Sequence, residues 1–282
     1  MMIGLPLTIN LACTGVIPTR AMSPYVPITH NEIVDDVARC MEIGVQVVHL
    51  HARDGAGVQT ADPERYGRLV ESIRALPDGS ELIIGVTTSG RDDPSFESRA
   101  RVLELTGDAK PDMASLTLSS LNFAQAASIN QPDTIRRLAQ RMKDRGIKPE
   151  LEVFDIGMAN FARVLVNEGL VEAPIYVNVL LGNIAGAQPD LIQLAAILAA
   201  LPQGCMVSIA GLGRFQLAAN GMGILFCDGV RVGLEDNIWL NQARTIHASN
   251  ASLVQRIVAQ AELFERPLQT RTELRCRLGL ST

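Results

Sequence analysis

Short runs of apolar and β-branched residues alternate along this chain with longer stretches in which apolar positions return every three to four residues. The first pattern predicts buried strands and the second amphipathic helices. Strands are expected at 7–13, 45–52, 81–88, 113–120, 148–155, 175–182, 205–211 and 230–236. Helices are expected near 31–43, 62–76, 95–107, 132–145, 157–169, 189–200 and 213–223, with a longer one at about 240–264. Asp62-Pro63, Gln131-Pro132-Asp133 and Gln188-Pro189-Asp190 place Pro or Asp where a first helical turn accepts them.

Eight strands and eight helices in strict alternation, with no linker or low-complexity segment, predict an α/β fold: a single-domain (β/α)8 TIM barrel over 1–282 with a C-terminal helical extension. A doubly wound open sheet is the alternative. Against it, no GxGxxG opens a helix after the first strand. Gly211-Leu212-Gly213 follows the seventh, and Gln216 stands where a third glycine belongs. In a barrel, catalytic groups gather at the C-terminal strand ends.

Composition narrows the classes of function. At 282 residues and 47% hydrophobic, the chain can build one large core. A net charge of -5 argues against nucleic acid or an anionic membrane as partner. Five scattered cysteines without a CxxC pair read as free thiols in a reducing compartment. Met1-Met2-Ile3-Gly4-Leu5-Pro6 lacks the charged region of an export signal, and Leu191 to Leu201 is too short to span a bilayer. A soluble cytoplasmic protein is the expectation.

The chemistry concentrates at predicted strand ends. His49 and His51 close the second strand, two of only four histidines in the chain. Residues two apart on a strand share a face, so both imidazoles project together, as a zinc-like ion requires. The eighth strand ends Arg231-Val232-Gly233-Leu234-Glu235-Asp236-Asn237, and the same period puts Arg231, Gly233 and Glu235 on one face. Barrel closure brings that strand next to the first, where Glu235 can complete a His-His-Glu set. Three protein ligands leave room for substrate, which is the catalytic arrangement. Asp236 beside a ligand suits a general base, and Arg231 can pair with it or hold an anion. Thr87-Thr88-Ser89-Gly90, Ser115 and Thr117 offer hydroxyls and amides at the rim. Glu150 and Glu152 lie inside the fifth strand, and parity cannot say which serves the site. His30 reads as near a helix cap, His247 as part of the last helix, and Trp239 as packing.

Taken together, Cys13-Thr14-Gly15, His49-Leu50-His51-Ala52-Arg53-Asp54, Thr87-Thr88-Ser89-Gly90, Lys148-Pro149-Glu150-Leu151-Glu152-Val153-Phe154-Asp155 and Arg231-Val232-Gly233-Leu234-Glu235-Asp236-Asn237 resemble the β-keto acid cleavage enzymes. The likeness runs from about residue 5 to Pro267. It implies a zinc-dependent barrel, usually a homotetramer, that condenses a β-keto acid with acetyl-CoA to give acetoacetate and a new acyl-CoA. It also implies zinc on His49, His51 and Glu235, and Asp236 as base supported by Arg231. Thr87, Gly90 and Ser115 would grip the substrate carboxylate, with Glu152 a further active-site acid. Ile17 stands where the enzyme for an amino-substituted substrate has an acid, which implies a neutral, apolar acyl tail here. Ser89 and Gly229 also depart from the family pattern.

Three other readings compete. An amidohydrolase barrel needs further histidines on later strands, and only His247 follows His51. A metal-dependent retro-aldol lyase could use the same ligands and base without CoA. A barrel that only binds a carboxylated metabolite is the non-enzyme reading.

Overall fold

The computed structural model describes residues 4–281, so Met1 to Ile3 of the N-terminal run lie outside it. Eight parallel strands form a closed barrel in sequence order, the last pairing with the first. They are β1 (Thr8–Ala12), β2 (Val47–Leu50), β3 (Ile83–Val86), β4 (Met113–Thr117), β5 (Lys148–Val153), β6 (Ile175–Leu181), β7 (Cys205–Gly211) and β8 (Gly229–Val232). The surrounding helices are α1 (His30–Ile43), α2 (Pro63–Arg74), α3 (Phe96–Ala100), α4 (Pro132–Arg145), α5 (Ile156–Asn167), α6 (Leu191–Ala200), α7 (Gln216–Phe226), α8 (Asn250–Leu263) and α9 (Arg271–Leu278). The barrel is the fold the alternation predicts.

Strands covered on both faces read as continuous apolar runs, and the Ile175–Leu181 strand is buried along its whole length. Helix starts follow their caps. Thr29 and Glu32 form a reciprocal capping box on α1, while Asp155 and Asp190 cap α5 and α6.

Some boundaries move. The eighth strand stops at Val232 rather than running to 236, because Gly233 lies against the Ala12 carbonyl where no Cβ would fit. The chain then turns, with the Asp236 and Asn237 amides donating to the Gly233 carbonyl. The last long helix starts at Asn250 rather than near 240. In the intervening loop Asn241 Oδ1 accepts from the Thr245 and Ile246 amides, so a side chain takes donors a helix would use. His247 therefore lies in that loop, stacked on Trp239 at 4.4 Å. The expected helix at 95–107 shortens to α3 and a 3-10 turn, Arg101–Glu104.

The C-terminal helix α9 closes one end of the barrel. Its Leu274 and Leu278 pack on Val47, Ile83, Met113, Tyr176 and Met206. The opposite end, where the strands finish, stays open and carries a short hairpin pairing Leu121–Asn122 with Ala127–Ser128. Among the described residues no helix is long and apolar enough to cross a membrane.

Candidate active site

Inside the barrel above the apolar plug lies a polar layer. Glu150 is completely buried, and its Oε1 accepts from Asn10 Nδ2 (2.8 Å) and Asn178 Nδ2 (2.6 Å). Its Oε2 accepts from His49 Nδ1 at 2.8 Å. That bond places the His49 proton on Nδ1 and leaves Nε2 as a lone pair facing the mouth. Burial lowers the basicity of His49, but Glu150 and Glu235 outweigh it and raise its pKa. Burial also opposes ionisation of Glu150, yet His49, Arg231 and Asn10 together bring its pKa down to about 2.

Next along the chain comes His51, one residue past the end of β2. Its Nε2 lies 3.2 Å from His49 Nε2 and 3.3 Å from Glu235 Oε1, while Glu235 Oε2 is 4.0 Å from His49 Nε2. Among the described residues, these three form a cluster of donor atoms close enough to share one metal ion. Tetrahedral zinc with bonds near 2.05 Å separates its ligands by roughly 3.3 Å, close to the 3.2 and 3.3 Å spacings and shorter than the 4.0 Å one. Glu235 Oε2 is buried without a hydrogen-bond partner, an acceptor in want of a cation. The donor set fits the ion.

Glu235 reaches this point through the turn after Gly233, not through strand parity. A second glycine makes room for it: Gly15 has φ +66, and a Cβ there would collide with Glu235 Cγ. Arg53 fixes that turn by donating to Thr14 Oγ1 and to the Gly15 and Pro18 carbonyls. Asp54 instead accepts from the Ala56 and Val58 amides of its own loop. Arg53 thus braces the turn beside Glu235, and Asp54 braces the loop that follows the histidines.

Arg231 gathers the acids. Its guanidinium meets Asp236 (3.1 Å), Glu235 (2.9 Å) and Glu152 (3.4 Å). Glu152 also accepts from Thr117 Oγ1 at 2.6 Å. Burial raises the Asp236 pKa, and Arg231 offsets this only in part while Glu235 adds to it. In Glu235 burial loses to Arg231 and the two histidines, which hold it well below the ordinary range. Neighbouring carboxyls are thus pushed apart, one anchored as an anion and one able to take a proton.

These groups open into a cavity of about 230 Å³. Val16, Ile17, Leu121, Phe123, Phe154, Leu180 and Leu212 form its apolar walls, and Thr87, Ser89, Arg91 and Thr117 its polar rim. The predicted residues His49, His51, Thr87, Thr117, Glu152, Arg231, Glu235, Asp236 and Ile17 all line it. Gly90 and Ser115 do not. The Ser115 hydroxyl accepts from the Thr88 amide, and its carbonyl accepts from Thr88 Oγ1, so it pins the Thr87–Gly90 segment from behind. A Cβ on Gly90 would press on Arg99, whose Nε donates to the Thr88 carbonyl. Sequence reasoning missed Arg91 and Phe123, which sit in loops without periodicity. It also left open the part Glu150 plays.

Metal-competent donors and acids gathered at the strand ends of a closed barrel are the arrangement of a barrel enzyme, and the family can be named. The beta-keto acid cleavage enzyme model matches residues 6–280, and the chain belongs to that family. It is 35% identical over 279 residues to the 3-oxoadipate:acetyl-CoA acetyltransferase of Cupriavidus necator, covering 98% of this chain and 95% of that one. Identity to the 3-keto-5-aminohexanoate cleavage enzyme of Fusobacterium nucleatum is 32%, over 97% and 98% of the two chains. Among solved structures, apo ObcA matches with a TM-score of 0.80 at 22% identity, over 92% of this chain and 66% of that longer one. That likeness speaks to the fold.

Proposed function

We propose that this barrel is a zinc-dependent acyltransferase that cleaves a β-keto acid with acetyl-CoA, giving acetoacetate and the acyl-CoA of the remaining fragment. The observation that carries it is the meeting of two imidazole Nε2 atoms 3.2 Å apart with a partnerless Glu235 oxygen beside an Arg231-held Asp236. The acetyl-CoA-named relative at 35% identity supports the co-substrate. Zinc held by His49, His51 and Glu235 would supply Lewis acidity to the keto-acid oxygens.

This chain's own residues do the rest. Asp236 withdraws a proton from the carbon between carboxylate and ketone, the most acidic C–H of such a substrate. Burial raises its pKa above the ordinary carboxylate value, which makes it a better proton acceptor than an exposed aspartate. Arg231 holds both oxygens of Asp236 (3.1 and 3.2 Å), so the base is aimed before substrate arrives. Thr87 offers its hydroxyl to the substrate carboxylate, while the Thr117 hydroxyl donates to Glu152 at the same rim. Val16 and Ile17 give the tail an apolar lining with no anion to attract an ammonium group, which favours an uncharged stem. A cytoplasmic homotetramer completes the reading, and the exposed Ile184, Leu191 and Ile192 offer apolar surface to another copy of the chain.

Protein stripped of metal and reloaded with zinc tests this, by following acetoacetate and acyl-CoA from acetyl-CoA and β-keto acids of graded length. Turnover that needs both zinc and acetyl-CoA is expected. Full activity in stripped protein, or cleavage without CoA, would overturn it.

A further inference from the structure

Arg91 is the cation of the cavity that the catalytic cluster does not employ. It follows the Thr87–Gly90 segment directly and lines the same cavity as the metal ligands. Its guanidinium carbon sits over Phe123, 3.6 Å from the ring centroid, and Phe123 is held edge-on by Phe154 at 5.8 Å. Arg231 has three carboxylates within 4.0 Å, whereas among the described residues Arg91 has none. Burial lowers its pKa, and the acids that partly restore it are the more distant Glu235, Glu152 and Asp236.

An arginine kept largely out of water without a counter-ion is costly. The aromatic face beneath it recovers part of that cost. The guanidinium still borders the cavity, and a carboxylate matches its N–H groups two at a time. Val16, Ile17, Leu180 and Leu212 give the same cavity an apolar lining. A ligand that suits this cavity is anionic at both ends with a hydrocarbon stem between.

We propose that Arg91 is a specificity-determining residue that binds a second carboxylate at the far end of the acyl tail, so that the preferred substrate is a β-keto dicarboxylic acid. This rests on the β-keto acid cleavage reading and departs from the neutral tail that Ile17 implies, keeping only the stem uncharged. The 3-oxoadipate named for the Cupriavidus relative belongs to this chemical class.

The test pairs acetyl-CoA and zinc-loaded protein with β-keto acids of equal length ending in methyl, carboxylate or ammonium. Wild-type protein is expected to favour the carboxylate end over methyl by roughly 10- to 100-fold in kcat/KM. In Arg91→Gln that ratio should collapse toward one, and Arg91→Lys should recover part of it. A wild-type preference for the methyl end overturns the inference, even if no variant folds, as does an unchanged ratio in Arg91→Gln. A rise in KM for acetyl-CoA that is equal for all acids also overturns it, since the guanidinium would then serve a CoA phosphate. No turnover of any acid with acetyl-CoA sinks the parent reading and is distinct from these results.

Discussion

Glu150 shows how one buried carboxylate can set a metal site without touching the ion. Its Oε2 accepts the His49 Nδ1 proton while two asparagine amides hold its Oε1. Replacing it with Gln keeps the volume but removes the charge that makes His49 a stronger donor. Such outer partners contribute about 10- to 100-fold in metal affinity. Glu150→Gln should therefore bind zinc that much more weakly in competition with a chromogenic chelator, and unaltered affinity would refute the role. Sequence could not assign it, because Glu150 and Glu152 share a strand face and differ only in depth. Glu150 sits opposite Ser115 in register and meets His49, while Glu152 sits opposite Thr117 and meets Arg231. The His49/His51 pair was legible for the converse reason, since a two-residue period needs no knowledge of depth.

At the scale of elements, the local rules held where hydrogen bonds are local and failed where another segment intervened. The alternation located all eight strands, but the reach of Glu235 depends on Gly233 meeting Ala12 and on Gly15 leaving space, two contacts across the barrel seam. The hairpin at Leu121–Ser128 and the Arg91–Phe123 stack carry no period and left no trace in the pattern. Capping is local, and α1 gives a measurable case. Glu32 accepts from the Thr29 amide in the capping box and from Arg20, which together hold its pKa down at about 2. A depressed carboxylate pKa adds stability that is present above the unfolded value and lost as pH falls through the folded one. Glu32→Gln should thus be less stable by about 0.5 kcal/mol near neutrality, the size of a partly exposed pair. The deficit should shrink between roughly pH 4.5 and pH 2. Denaturant melts of both proteins across that range check it, and a gap that widens on acidification would contradict it.

For the whole molecule, the mouth of the barrel concentrates negative charge that the protein alone does not balance. Glu152, Glu235 and Asp236 share the single guanidinium of Arg231, with Arg91 beyond ion-pair range and Glu150 buried below. Holding excess carboxylates inside a fold opposes folding, and a divalent cation at His49, His51 and Glu235 relieves it. Because the ligands come from β2 and from the turn after β8, an ion there ties together the two flanks of β1 across the seam where the barrel closes. Ligand binding to the native state alone stabilises by RT ln(1 + [L]/Kd), about 2.7 kcal/mol when free zinc stands a hundredfold above Kd. For a chain of this size that is a rise in Tm of roughly 5 °C or more. Zinc-loaded protein should therefore melt well above chelator-treated protein, and His51→Gln should abolish most of the difference. If the two wild-type preparations melt together, or if His51→Gln responds to zinc as strongly as wild type, the ion is not held at this cluster.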